Sequence, residues 1–354
     1  MDFLKADSYQ ALLRDVIDGF PDWERLEGKT FLISGASGMI ASLLIDAILL
    51  RNEDLSAQRR CRVMATSRNG PAARVRFAPW WDRAEWTYFP CDIAQPLPEL
   101  PAAPDYLIHA ASTTHPAQYV SEPINTILAN ILGTRNMLDA AGPDARGRFL
   151  LLSSVEIYGE NRGDVDYFDE GYCGYIDCNT LRAGYPEAKR VSESLCQAYG
   201  KERDMDCVIL RLPRCYGPTM KMSDTKALSQ FLKKGLAGED IVLKSEGKQF
   251  YSYAFVADAA LGILWALTRG ERGQAYDLAD PGSDITLAEL AALVAREAGR
   301  KVVFELPSEA ERAGYSTATR AVMRGDKLRA LGWTPRYDIR EGIKLTMGLL
   351  RNGI

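Results

Sequence analysis

Only two histidines, His109 and His115, occur among the 354 residues, so a histidine-rich metal site is not expected. The seven cysteines, Cys61, Cys91, Cys173, Cys178, Cys196, Cys207 and Cys215, are odd in number and include no Cys-x-x-Cys pair. That argues against zinc and against a disulfide framework; the reducing cytosol, and so a cytoplasmic location, is expected. Long apolar runs are missing too, since none nears the ~18 residues of a membrane span. The opening residues, Met1-Asp2-Phe3-Leu4-Lys5-Ala6-Asp7, lack the basic-then-apolar order of a signal peptide. Nor is positive charge in excess: 43 Lys and Arg stand against 47 Asp and Glu, a net charge of -4, which argues against a nucleic-acid surface. What is there is an ordinary globular composition, 47% apolar and 25% charged, long enough for one large or two modest domains.

Residues 8–20 read as an amphipathic helix with Tyr9, Leu12, Leu13, Val16, Ile17 and Phe20 on one stripe. It forms an N-terminal helical extension, 1–27, that packs on the main domain, a dimer contact being the alternative use. Strands are expected at 30–34, 62–66, 86–89, 106–109, 148–152 and 207–211, with helices at 40–50, 124–141 and 185–199. Strands that are apolar along their whole length and alternate with helices mean a parallel sheet covered on both faces. The fold class is therefore α/β, a doubly wound parallel sheet with a smaller C-terminal substrate domain. Residues 28–211 make the dinucleotide-binding domain, and an apolar stretch within 253–272 returns to it. Residues 212–252 and 273–354, with shorter mixed elements, make the substrate-binding domain.

A glycine-rich turn, Gly35-Ala36-Ser37-Gly38-Met39-Ile40-Ala41, follows the first strand and opens a helix, which is the context a dinucleotide-binding turn needs. Gly35 allows the tight turn, and Gly38 lets the backbone approach a pyrophosphate at the helix's positive end. Ser37, Met39 and Ile40 line the same turn. An acid ending strand two holds the ribose hydroxyls of NAD, but Ser67-Arg68 stands there. A hydroxyl followed by a guanidinium suits a 2′-phosphate and favours NADP on chemistry alone; stacking of Arg68 on adenine, or exposure to solvent, is the bland reading. Asp92, with Ile93 beside it, follows strand three and is placed to accept from the adenine amino group. Strand four ends in His109-Ala110-Ala111-Ser112, small residues where the cofactor passes, with His109 read as a packed strand residue.

Tyr185 and Lys189 are four apart, on one face of a helix, and strand five ends in Ser153-Ser154-Val155-Glu156. Ser154 then orients a hydroxyl, Tyr185 is the acid/base, and the Lys189 ammonium lowers the phenol's pKa. With these residues the chain resembles the extended short-chain dehydrogenase/reductases, in particular the nucleotide-sugar epimerase/dehydratase/decarboxylase family. The resemblance includes Asn130-Ile131-Leu132-Gly133-Thr134-Arg135-Asn136, Arg211 through Pro218, and Leu331-Gly332-Trp333-Thr334-Pro335. It implies that Ser154, Tyr185 and Lys189 are catalytic, that Asn130 supports the site, and that Lys189 also holds the nicotinamide ribose. It implies enzyme-bound NAD recycled within one turnover, against the NADP hint of Arg68.

The departures bear on the reaction. Where the family's 4,6-dehydratases carry an Asp-Glu pair, this chain has Val155-Glu156, so the acid is missing while Glu156 remains as a base. Relatives carry an arginine where Tyr251 stands and an asparagine where Arg214 stands. One guanidinium lost and one gained suggests a substrate anion bound by Arg214, near Tyr251, Glu156 and Ser112; a turn residue facing solvent is the alternative for Arg214. Residues 160–184 are a polar insertion, either a substrate loop or a solvated one. The function expected is transient C4 oxidation of a nucleotide-linked sugar by a homodimeric enzyme, with hydride return and net epimerisation. Decarboxylation or an unusual dehydration through Glu156, a reductase using free NADPH, and a non-catalytic dinucleotide sensor are the alternatives.

Overall fold

The structure is a computed structural model and describes residues 3–112, 116–142, 147–305 and 318–351; His115 lies outside them. The strands are β1 (Thr30–Ser34), β2 (Arg62–Ser67), β3 (Trp86–Pro90), β4 (Tyr106–His109), β5 (Arg148–Ser154), β6 (Asp206–Leu212), β7 (Arg214–Tyr216), β8 (Ile241–Leu243), β9 (Phe250–Phe255), β10 (Ala275–Asp277), β11 (Asp284–Thr286), β12 (Val302–Phe304) and β13 (Arg320–Ala321). The helices are α1 (Asp7–Asp18), α2 (Met39–Arg51), α3 (Gly70–Arg76), α4 (Pro116–Ser121), α5 (Pro123–Asp139), α6 (Gly184–Glu202), α7 (Ala227–Leu236), α8 (Val256–Arg269), α9 (Leu287–Ala298), α10 (Asp326–Ala330) and α11 (Ile339–Arg351).

Seven strands form one parallel sheet in the order β10-β6-β5-β4-β1-β2-β3. The order reverses between β1 and β4, and the crevice beyond the carboxyl ends of strands at such a point is where ligands bind in open α/β sheets. Every residue of β1 is buried, as expected for a strand covered on both faces. Helix α2 is buried from Ala41 to Leu50 without a solvent face, because the sheet, α1 and α8 enclose it.

The buried aspartate in α2, Asp46, explains how the N-terminal extension docks. Its carboxylate accepts from Tyr9 Oη at 2.7 Å and Trp80 Nε1 at 2.9 Å, and pairs with Arg76. Tyr9, Leu12, Leu13, Val16 and Ile17 bury the apolar stripe of α1 around that contact. A buried carboxylate is tolerated only when paired and hydrogen-bonded in this way.

The smaller unit is built round β9, which pairs with β11, β13 and β7. Helix α8 leaves β9 and packs on α2, β5 and β6. Sequence reasoning placed everything from 273 onward in the smaller unit, and this needs correction: β10 pairs with β6 and is the seventh strand of the large sheet. Three residues are too short for a periodic signal, and what holds β10 is a buried network. Arg211 on β6 donates to Glu193 Oε2 at 2.7 Å and to Tyr158 Oη at 2.9 Å, and Tyr158 donates to Asp277 at 2.7 Å.

The insertion at 160–184 is pinned to the body. Phe168 is fully buried, stacked between Tyr158 and Tyr172, and its N–H donates to the Val322 carbonyl at 2.7 Å. Arg190 donates to the Gly174 carbonyl at 2.7 Å, and Glu170 accepts from the Asp277 N–H at 2.8 Å. The far end of the insertion delivers Arg182 to the sheet edge.

Candidate active site

The glycine turn joins β1 to α2. Gly35 has φ +70, and a Cβ there would lie 2.7 Å from the Ala110 and Ala111 backbone, so only glycine fits. At Gly38 a Cβ would stand 3.0 Å from the Gly35 carbonyl. No side chain caps the first turn of α2, which leaves its backbone N–H groups to an anion. Met39 and Ile40 open that helix, and Thr219 Oγ1 donates to the Met39 carbonyl at 2.8 Å. A cradle that a single methyl would fill suits a dinucleotide's pyrophosphate. When bound there, the nicotinamide supplies the hydride acceptor and donor.

The other cofactor positions lie along the same edge. Ser37 Oγ is 2.7 Å from Ser67 Oγ, which is 3.0 Å from Tyr88 Oη. Arg68 is exposed. Asp92 is exposed and accepts from the Ala94 N–H at 3.1 Å, while Ile93 is buried against Gly133. Ala110 and Ala111 flank the turn, and the Ala111 N–H donates to Ser34 Oγ at 3.3 Å. His109 is fully buried, 2.7 Å from Ser34 Oγ, and burial followed by the Lys189 charge pushes its pKa down to about 3. It is a neutral core residue, as its strand position suggested.

Ser154, Tyr185 and Ser112 come together. Ser154 ends β5 and its Oγ accepts from the Glu156 N–H at 3.2 Å. Tyr185, buried on α6, hydrogen-bonds to both Ser154 and Ser112. Ser112 Oγ donates to Asn130 Oδ1 at 2.9 Å, and Asn130, wholly buried on α5, donates to the Thr126 carbonyl at 2.8 Å. Helix α5, through Asn130 and Ser112, thus backs the phenol that α6 carries.

Burial dominates the electrostatics of Tyr185 and Lys189. Burial pushes the Tyr185 phenol up to about 12, outweighing its bonds to Ser154 and Ser112. The Lys189 ammonium is directed at the Leu152 carbonyl, 2.8 Å away. Burial pulls Lys189 down to about 8, opposed by Glu193, which is anchored by Ser153 Oγ at 2.5 Å. Desolvation disfavours the charged form of both groups, yet a lysine near 8 still carries its charge at neutral pH, beside a neutral phenol.

Glu156 sits between two guanidiniums: Arg182 Nη2 is 3.6 Å from Oε2 and Arg214 Nη2 is 3.6 Å from Oε1. The Arg214 guanidinium also lies 3.6 Å over the Tyr251 ring. The register explains this: Arg214 pairs with Tyr253, and Tyr251 is the next residue on the same face of β9. Tyr251 Oη donates to the Ala318 carbonyl at 2.7 Å, so the tyrosine is a platform under Arg214 and does not present its hydroxyl to the site. Arg214 Nη1 is buried without a hydrogen-bond partner among the described residues.

Three neighbours escaped sequence reasoning. Glu193 had a signal, since it follows Lys189 at the same helical spacing. Arg182 lies in the aperiodic insertion and Tyr119 in a short helix. Tyr119 stacks on Tyr185 with centroids 4.8 Å apart and planes at 10°, and the Arg182 guanidinium lies 5.8 Å from the centroid of the Tyr119 ring.

A seven-stranded doubly wound sheet with a glycine turn at its switch point and a Ser/Tyr/Lys set on the same edge defines a dinucleotide-dependent enzyme class. The family model for the NAD dependent epimerase/dehydratase family matches residues 31–279, and the chain belongs to that family. It is 28% identical to UDP-glucuronic acid decarboxylase 1 of Xenopus tropicalis over 323 residues, 91% of this chain and 72% of that protein. It is 29% identical to UDP-glucuronic acid decarboxylase 5 of Arabidopsis thaliana over 318 residues, 89% of this chain and 87% of that one. In fold it is similar to UDP-glucose 4-epimerase of Thermotoga maritima with UDP-glucose, with TM-score 0.76 and 20% identity, covering 91% of this chain and 99% of that chain. UDP-glucuronic acid 4-epimerase of Bacillus cereus, in complex with UDP-glucuronic acid and NAD, superposes with TM-score 0.74 at 18% identity, over 91% and 99% of the two chains. No helix among the described residues is long and apolar enough to cross a membrane.

Proposed function

We propose that the protein oxidises a nucleotide-linked sugar transiently at C4, using a resident nicotinamide dinucleotide, and returns the hydride to give the C4 epimer. The observation that carries this is the convergence of Ser154, Ser112 and Tyr185 hydroxyls at the sheet edge facing the glycine turn. Tyr185 takes and later returns the C4 hydroxyl proton, Ser154 and Ser112 hold that hydroxyl in line, and Lys189 balances charge beneath them. Val155 offers no proton, so loss of water at C5 and C6 lacks its acid. The test is NMR of a panel of nucleotide sugars incubated with the protein: a C4-epimeric mixture supports the reading, and an unchanged panel overturns it.

A specific arrangement favours a second reading. Two guanidiniums flanking Glu156 suit a sugar that itself carries a carboxylate, and the decarboxylases above are similar over most of the chain. Glu156→Gln separates the two. For C4 epimerisation turnover falls less than ~10-fold, because no C5 proton is taken. A fall matching that of Tyr185→Phe, with carbon dioxide released, assigns decarboxylation.

Homodimerisation belongs to the same proposal. Ile124 and Leu128 on α5 and Val191 on α6 are exposed at 70%, 41% and 40%, on two helices that pack side by side. A second copy covering that face removes this apolar area from water. Leu128→Glu is expected to shift the mass in light scattering from two chains to one; an unchanged mass rejects this surface.

A further inference from the structure

The glycine turn fits a pyrophosphate, but the adenosine end of the site lacks what NAD asks of it. The ribose hydroxyls of NAD are held by a carboxylate at the end of the second strand. Here β2 ends in Ser67, followed by Arg68. Ser67 Oγ lies 2.7 Å from Ser37 Oγ on the glycine turn and 3.0 Å from Tyr88 Oη. Hydroxyls in such a cluster donate readily to phosphate oxygens.

A second cation reaches this corner from far along the chain. The Thr219 bond to the Met39 carbonyl draws the segment after β7 against the start of α2, and Lys221 follows two residues on. Surrounding protein and then the Arg68 charge lower the Lys221 ammonium's pKa, so the two cations are within electrostatic reach. Among the described residues neither side chain has an ion pair or hydrogen bond. The nearby Asp92 carboxylate is turned to the Ala94 N–H. Two like charges with no counter-charge repel, and a dianion between them converts the repulsion into two charge-assisted contacts.

We propose that Ser37, Ser67, Arg68 and Lys221 form a 2′-phosphate site, so that this chain accepts NADP and holds it more tightly than NAD. The inference rests on the dinucleotide half of the proposed function and is independent of the sugar chemistry. Hydride recycling within one turnover proceeds with either dinucleotide, since the phosphate lies at the far end from the nicotinamide.

Calorimetric titration of the full chain with 2′,5′-ADP and with 5′-AMP isolates the 2′-phosphate. The first is expected to bind roughly 10- to 150-fold more tightly, the range of one charge-assisted contact, with NADP over NAD in the same order. Arg68→Ala and Lys221→Ala should each weaken 2′,5′-ADP and NADP far more than 5′-AMP and NAD, and so remove much of that preference. Equal binding of 2′,5′-ADP and 5′-AMP overturns the proposal, as do variants that weaken NAD and NADP alike. The comparison on the unaltered chain needs no variant, so misfolding of either one does not blunt the test. Failure to turn over any nucleotide sugar would sink the sugar reading and leave these constants untouched.

Discussion

Tyr185→Phe is expected to lower turnover by more than ~100-fold while the dinucleotide stays bound, because only the acid/base hydroxyl is removed. The ring itself is retained, so its stacking on Tyr119 and its burial on α6 persist. What goes is the hydroxyl bonded to Ser154 and Ser112. The pH dependence has a defined sign. Burial sets the phenol near 12 in the dinucleotide-free chain, so its ionised fraction, and with it a rate limited by proton removal, grows as pH rises from neutrality. Retained dinucleotide is read by absorbance after denaturation, and turnover by the NMR assay. Near-full activity in the variant would remove Tyr185 from the acid/base role.

Much of this arrangement was legible because it is local. β1 to β6 announce themselves as short apolar runs bounded by turns, and the glycine turn carries its strand and helix with it. Tyr185 and Lys189 need only the helical repeat to share a face. Long-range pairing was not legible. Nothing near Asp46 in the sequence says that Tyr9, Arg76 and Trp80 will converge on it, and β10 exists as a strand because Asp277 is held by Tyr158. Arg182 reaches Glu156 only because Phe168 and Arg190 pin the loop before it. The electrostatics of Lys189 and Tyr185 were hidden for a related reason. Helical spacing puts the two on one face, but burial, which no spacing reveals, dominates both titrations.

Arg214 carries the other large expected effect. Its guanidinium spans Glu156 and the Tyr251 ring, and its Nη1 is buried with no hydrogen-bond partner among the described residues. A buried donor without an acceptor costs about 1–3 kcal/mol, a cost that a substrate anion offsets by binding there. Arg214→Ala is therefore expected to raise the substrate's dissociation constant roughly 10- to 150-fold, corresponding to about 1.5–3 kcal/mol for a contact to a charged group. The dinucleotide constant should not move, since the Arg214 guanidinium is directed at Glu156 and the Tyr251 ring. Tyr251→Arg placed in the Arg214→Ala chain should recover part of the binding, because the two positions are diagonal neighbours on β7 and β9 and face the same anion. Arg214→Lys should recover less, since an ammonium can neither stack flat on Tyr251 nor offer two parallel donors. Titration of each variant with the nucleotide sugar identified by NMR reads all three. Unchanged affinity in Arg214→Ala would return Arg214 to a purely structural role, that of holding Glu156 against the Tyr251 platform.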